Sequence, residues 1–236
     1  EEIKSSKGHF SRNLVTSIND KLEKGEQVIL LLNRRGYASF VTCKSCGYTF
    51  KCPNCDISLT YHKSSNTMRC HYCGYGTKVY STCPECHEKS ISDLGVGTQK
   101  IEEEISEIFP NARVVRMDFD TTIRKGMHEE MINSFKNHEY DILLGTQIVA
   151  KGLDFSNVTL VGVINADTSL NIPAFRSSEN TFSLLSQVAG RSGRSEKEGE
   201  VFIQTYNADH YAISLASKHD YLAFFNEEMK IRKQLK

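Results

Sequence analysis

Apolar residues along this chain recur in two alternating rhythms. Leu14, Val15, Ile18 and Leu22 follow Ser11 at helical spacing, and Gly25 closes that segment before the continuous run Val28-Ile29-Leu30-Leu31-Leu32. The first segment reads as an amphipathic helix, the second as a strand apolar enough to be covered on both faces. The unit then recurs. Ile101, Ile105 and Ile108 mark a helix that Pro110 stops ahead of Arg113-Val114-Val115-Arg116-Met117. Met127, Met131 and Phe135 mark another, followed by the strand Asp141-Ile142-Leu143-Leu144. Val158 to Ile164 forms a further strand, a helix through Phe182 to Arg191 leads to Val201-Phe202-Ile203, and a final helix starts at about Ala208. Five short apolar strands alternating with helices predict an α/β fold, a parallel sheet with helices on both faces.

Residues 41 to 91 interrupt this rhythm: they are rich in Cys, Gly, Tyr and Lys, poor in aliphatics, and lack the makings of a large core. All eight cysteines of the chain fall here, as the pairs Cys43/Cys46, Cys52/Cys55, Cys70/Cys73 and Cys83/Cys86. Four disulfides are conceivable, but such clustering inside a chain that otherwise reads as an intracellular α/β protein favours thiolate ligands. A Cys-x-x-Cys turn lets two thiolates grip one tetrahedral ion, and four pairs make two Cys₄ sites. Zinc is the expected metal. Four cysteines per ion leave no position open for water, so both zincs are expected to be structural.

The gaps between pairs are five, fourteen and nine residues. Five leave little chain to turn one knuckle towards its neighbour. Fourteen, holding Leu59-Thr60-Tyr61 and Thr67-Met68-Arg69, suit a ribbon hairpin. This favours Cys52/Cys55 with Cys70/Cys73 on one ion and Cys43/Cys46 with Cys83/Cys86 on the other, one site nested in the other. A crossed pairing, first with third and second with fourth, is the alternative. His62, His71 and His87 read as surface residues while eight thiolates are available.

Lys+Arg and Asp+Glu both number 29, so overall charge makes no case for nucleic acid. From residue 34 to 89, eight Lys/Arg stand against three Asp/Glu, but two Cys₄ zinc sites lower that formal +5 to about +1. Direct DNA binding by the insertion and a rigid knob acting by shape are both open. With 39% hydrophobic residues the 236-residue chain can bury a core, and no apolar run approaches the ~18 residues of a membrane span. The start, Glu1-Glu2-Ile3-Lys4, has neither a signal-peptide pattern nor an initiator Met, so the chain is expected to be a fragment.

Two stretches carry chemistry. Gly145-Thr146-Gln147 through Lys151-Gly152-Leu153-Asp154 directly follows a strand, where ligands bind in open α/β sheets. Its glycines allow close backbone approach, Thr146 offers a hydroxyl and an amide to phosphate, and Asp154 can anchor a nucleotide or position water. In Gln187-Val188-Ala189-Gly190-Arg191-Ser192-Gly193-Arg194, helical residues 187, 190, 191 and 194 share one face. Two guanidiniums beside bare backbone suit a triphosphate, whose developing charge they can stabilise.

The second stretch resembles motif VI of superfamily-2 helicases and the first their motif V. With Leu32-Asn33-Arg34-Arg35-Gly36-Tyr37 leading into the cysteines, the chain resembles the PriA family of replication-restart helicases over nearly its whole length. The resemblance implies a 3′-to-5′ DNA helicase whose second RecA-like lobe is interrupted by a two-zinc insertion. It implies that Arg191 and Arg194 reach ATP phosphates, that Gln187 links nucleotide state to DNA, and that Gly152 and Asp154 lie near the cleft. Thr146, Gln147 and Lys151 would contact single-stranded DNA, with Arg35 and Thr98, from Gly97-Thr98-Gln99-Lys100, also near DNA. Asn180, Ala174 and Asn165 depart from the family's usual Arg, Asp and Asp.

The resemblance divides the chain into residues 1–40 and 92–212 as the lobe, 41–91 as the insertion, and 213–236 as a C-terminal helix leading to a missing domain. Its implied partners are single-stranded and forked DNA, primosome proteins and single-stranded-DNA-binding protein in the bacterial cytoplasm at the nucleoid, with no membrane. Gly-x-x-x-x-Gly-Lys-Ser/Thr and Asp-Glu-x-His do not occur in the sequence, so ATP and Mg²⁺ are expected to bind only with a missing first lobe. The chain alone is then expected to be inactive. The rival readings are a zinc-ribbon scaffold for replication partners and a lobe of a related repair or restriction translocase.

Overall fold

The computed structural model describes residues 8–32, 41–55, 57–62, 65–89, 91–93, 98–118, 126–146, 155–172, 174–189 and 199–234. In chain order the elements begin with α1 (Arg12–Glu23) and β1 (Gln27–Leu31), then five short strands, β2 (Val41–Cys43), β3 (Thr60–His62), β4 (Thr67–Arg69), β5 (Gly76–Lys78) and β6 (Ile91–Asp93). After them come α2 (Thr98–Ile108), β7 (Val114–Met117), α3 (Met127–Lys136), β8 (Ile142–Gly145) and β9 (Val158–Val163). The chain continues through α4 (Asp167–Leu170), α5 (Ser177–Ala189), β10 (Glu200–Ile203), α6 (Tyr211–Ser217) and α7 (Tyr221–Gln234).

Local chemistry sets the first unit. Ser11 caps α1, its Oγ accepting the Leu14 N–H at 3.3 Å, and Gly25 at φ +68° turns the chain into β1. Every residue of β1 is buried, as a strand covered on both sides requires. The five long strands form one parallel sheet in the order β10-β9-β1-β8-β7.

Alternation along the strands splits the core in two. Val28, Leu30, Ile142, Leu144 and Leu160 face Phe10, ahead of α1, Leu14 and Ile18 of α1, and Ile101 and Ile105 of α2 on one side. Ile29, Leu31, Leu143, Val161 and Val163 face Phe135, Leu185, Val188, Ile213 and Phe224 on the other, from α3, α5, α6 and α7. A register shift between Gln27 and Val28 opposite β9 explains why Val158 joins the second layer although its parity matches Leu160. At Gly162 a Cβ would stand 2.8 Å from Leu30 Cδ2 of the neighbouring strand and 3.2 Å from Leu14 Cδ1 of α1, so both pack against bare backbone there.

The insertion folds separately. β2 and β6 pair antiparallel, Cys43 opposite Ile91, so its incoming and outgoing strands are zipped together. Beyond them β3, β4 and β5 form a small antiparallel sheet, with the expected ribbon hairpin between Thr60–His62 and Thr67–Arg69 and a third strand that the sequence pattern does not reveal. The expected single C-terminal helix is two. His219, at φ +56°, breaks it, and Asp220 Oδ1 accepts the Ala223 N–H at 2.9 Å to start α7. Phe224 enters the core between Phe182 and Tyr211, whereas Tyr221 and Phe225 face outwards. Among the described residues no helix is long and apolar enough to cross a membrane.

Candidate metal centres and motor surface

The insertion repeats one backbone device four times. In each knuckle the N–H of the first cysteine donates to the carbonyl five residues on: Cys43 to Tyr48 (2.9 Å), Cys52 to Ile57 (2.8 Å), Cys70 to Tyr75 (2.8 Å) and Cys83 to Glu88 (2.9 Å). Among the described residues, Gly47, Gly74 and His87 close their turns at positive φ, each N–H donating back to the first cysteine's carbonyl. Glycine takes that conformation without strain; His87 holds it at a cost, with its side chain exposed as expected of a surface histidine.

These turns bring the eight thiols into two groups of four. Cys43, Cys46, Cys83 and Cys86 form one, Cys52, Cys55, Cys70 and Cys73 the other, with sulfur atoms within 4.8 Å of one another in each. This is the nested arrangement that the gap lengths favour. Sulfur separations of 3.5 Å for Cys43–Cys86, 3.7 Å for Cys46–Cys83 and 3.5 Å for Cys52–Cys73 exclude disulfides. They match the edge of about 3.8 Å of a tetrahedron with zinc–sulfur bonds of about 2.3 Å. The first cysteine of every pair is buried and the second more exposed.

The electrostatics of the donor sets call for a cation. The backbone N–H of Tyr75 brings the Cys73 thiol down to about 6, while hydrogen bonding to Cys73, together with burial, pushes Cys55 up to about 12. Burial likewise pushes Cys46 up to about 12; burial also opposes ionisation of Cys83, yet the N–H groups of Cys86 and Glu85 bring it to about 7. Four adjacent thiols cannot all ionise against one another, and a divalent ion removes that conflict by replacing the protons. The donor sets therefore fit structural zinc.

The first group lies against the lobe. Asp167, at the start of α4, is buried and accepts the Tyr206 N–H at 2.8 Å and the Thr205 hydroxyl at 3.0 Å; burial pushes its carboxyl up despite both bonds. Tyr206 and Asn171 reach the Cys43/Cys46 knuckle. No sequence signal marks these residues as contacts of the metal site. Asn165 Oδ1 accepts the Thr168 N–H at 3.2 Å.

Of the motor residues, Thr146 stands at the carboxyl end of β8, its N–H 3.4 Å from the Met117 carbonyl. Gln187 lies on the exposed side of α5, donating from Nε2 to Ser183 Oγ at 3.2 Å, while Leu184, Leu185 and Val188 turn inwards. Thr98 starts α2, but its buried hydroxyl donates to Asp118 Oδ2, beside the Arg116 guanidinium that also reaches Glu102. That hydroxyl is committed inside the lobe. Arg35, Gln147, Lys151, Gly152, Asp154, Arg191 and Arg194 lie outside the described residues.

Comparison with known proteins adds to this geometry. Residues 75–196 match the helicase conserved C-terminal domain, and residues 52–78 match the PriA DNA helicase Cys-rich region domain. β1 falls before the first of these matches, which begins within the insertion. The chain is homologous over nearly its whole length to replication restart protein PriA. It is 53% identical to that of Bacillus subtilis over 235 residues, which is 99% of this chain and 29% of that protein. It is 44% identical to that of Synechocystis over 230 residues, 96% of this chain and 28% of that protein. The chain thus spans less than a third of these relatives' length. Among solved structures, the Pyrococcus furiosus Hef helicase domain aligns at 12% identity and a TM-score of 0.41, covering 87% of this chain and 27% of that one.

Proposed function

The chain belongs to the helicase conserved C-terminal domain family, and on that premise we propose that it is the second RecA-like motor lobe of an ATP-dependent 3′-to-5′ DNA helicase acting in replication restart and primosome assembly. One observation carries the reading. β8 delivers Thr146 to the carboxyl end of a parallel sheet, the edge at which open α/β sheets bind ligands, and α5 ends at Ala189, two positions before Arg191 in the sequence.

In this reading Arg191 and Arg194 reach across a cleft to ATP phosphates held by a first lobe. Their permanent charge and forked donors suit the charge that develops on a transferred phosphoryl group. Gln187, on the solvent side of α5, links nucleotide state to DNA, with Gly152 and Asp154 lining the cleft. Thr146, Gln147, Lys151 and Arg35 hold the single strand by its backbone, and Thr98 contributes through its main chain, its hydroxyl being engaged by Asp118. Residues 41–91 form a rigid two-zinc unit within the lobe, and residues 213–236 lead towards a further domain. Homology to a replication-restart protein supports forked DNA, primosome proteins and single-stranded-DNA-binding protein as partners in the bacterial cytoplasm.

Arg191→Ala and Arg194→Ala in the full-length protein are expected to lower ATP hydrolysis by about 10³-fold or more. Retained ATP-dependent unwinding in either variant would sink the assignment. The isolated chain, without a P-loop, is expected to hydrolyse no ATP, and DNA-stimulated turnover by it would refute the lobe reading.

A further inference from the structure

Four knuckles are built alike, but they sit differently. Gly47 and Gly74 follow their cysteine pairs at the same position, at φ +79° and +76°, and each precedes a tyrosine. Around Gly74 nothing lies within 4 Å of where a Cβ would stand. At Gly47 that point falls 2.3 Å from Tyr206 Cβ, 2.6 Å from Cγ and 2.9 Å from Cδ1. The inner atoms of Tyr206 therefore lie flush against the knuckle's backbone, and they cannot swing aside as the tip of a long side chain can. A second contact lies two residues on, where Asn171 Nδ2 donates to Thr49 Oγ1 at 3.2 Å. Thr49 in turn stands 3.3 Å, oxygen to oxygen, from Thr42 in β2.

Both contacts belong to the carboxyl edge of the sheet. Tyr206 lies three residues beyond β10, and Asn171 directly follows α4, which is reached from β9. Asp167 ties the two segments together through the Tyr206 N–H and the Thr205 hydroxyl, and the Ala166 N–H donates to the Gln204 carbonyl at 3.0 Å. The Gln204 amide extends this network to the His9 and Ile164 carbonyls, at 2.8 Å each, and to the Ser11 N–H at 2.7 Å. One metal knuckle thus rests on a connected set of groups spanning β9, β10 and the start of α1.

We propose that the Cys43/Cys46 knuckle is a joint that fixes the orientation of the zinc unit on the motor lobe, with Tyr206 and Asn171 as positioning residues and Asp167 as their clamp. The inner site is carried beyond this joint. A tilt at Gly47 therefore displaces Tyr72, which stands 75% exposed at the tip of the Cys70/Cys73 knuckle. The geometry of the joint stands by itself; its consequence for unwinding rests on the motor-lobe reading above.

Gly47→Ala and Gly74→Ala form a matched pair in the full-length protein. Both place alanine at positive φ, but the first alone drives a methyl group into Tyr206. Hydrogen exchange is expected to quicken roughly tenfold at residues 46–50 in Gly47→Ala, and to return towards the parent rate in Gly47→Ala/Tyr206→Gly, which removes the opposing Cβ. Gly74→Ala should leave residues 46–50 and 204–207 unchanged. All three variants should keep two zincs per chain. Equal exchange at residues 46–50 in the two single variants, no reversal in the double variant, or loss of zinc from Gly47→Ala would each overturn the joint. In the same proteins, base pairs opened per ATP hydrolysed should fall several-fold in Gly47→Ala and recover in the double variant. An unchanged ratio with exchange raised would overturn the functional half of the proposal. A parent protein that neither hydrolyses ATP nor unwinds would strike the motor reading instead, with the exchange result standing.

Discussion

On the sheet, Phe10, Leu14, Ile18 and Leu30 are closed over from one side and Phe135, Met117 and Leu185 from the other, all almost without exposure. In the insertion the buried cluster is Val41, Phe50, Leu59 and Met68 with two cysteines, Cys52 and Cys70, which belong to one of the four-thiol groups that fit zinc. Ordering a residue costs roughly 1–2 kcal/mol of backbone entropy, and burying a large apolar side chain returns about 1.5–3 kcal/mol. Four such side chains cannot order some fifty residues. The sheet is therefore held by what its side chains exclude, the insertion by what its side chains bind, and the two should respond to different insults.

The largest expected effect follows directly. Structural zinc contributes on the order of 10–16 kcal/mol in small metal-folded domains. Chelation should let the amides of residues 41–93 exchange at unfolded rates while those of β1, β8 and β9 stay protected; loss of protection across the sheet would break the contrast. Conversely, Phe135→Ala opens a cavity beneath the fully buried centre of the lobe and should cost about 3–5 kcal/mol in denaturant unfolding, with zinc content unchanged. Gly162→Ala tests close packing without removing anything: its methyl group meets Leu30 at 2.8 Å and Leu14 at 3.2 Å, for an expected loss of about 1–3 kcal/mol.

The smallest effect is electrostatic. Arg113 pairs with Asp141 at 2.6 Å and holds its carboxyl below the usual range, mainly through their hydrogen bonds. A lowered folded-state pKa gives stability that is present above the unfolded value of about 3.9 and lost as pH falls through the folded one. Asp141→Asn should therefore cost about 0.5–1 kcal/mol at neutral pH, and the difference from the parent should close below about pH 4. A gap that persists in acid would assign the loss to packing.

The sheet is legible in the sequence because strands such as Val28 to Leu32 are buried on both faces and become continuous apolar runs. The metal groups are legible because ligand spacing is a local property. What escapes is what depends on contact across the fold. β5 is three residues long and gains its identity only from pairing with β4. The break at His219 has neither glycine nor proline to announce it. Thr98 is expected from the sequence to lie near DNA, yet its hydroxyl turns to Asp118, twenty residues away. Tyr206 is an ordinary tyrosine after a strand until the fold sets it beneath Gly47.

The pairing of β2 with β6 has a mechanical consequence. Tension between the two halves of the lobe enters the insertion at Val41 and leaves at Asp93, opposite each other on an antiparallel ladder, so a pull parts the strands one rung at a time. The last rung joins Cys43 to Ile91, and Cys43 shares its metal group with Cys83 and Cys86. A zinc ion there acts as a rivet at the base of a zip. Load between the two halves of the lobe would be stopped at the first metal group, leaving the hairpin sheet and the second group of four cysteines off the path of force.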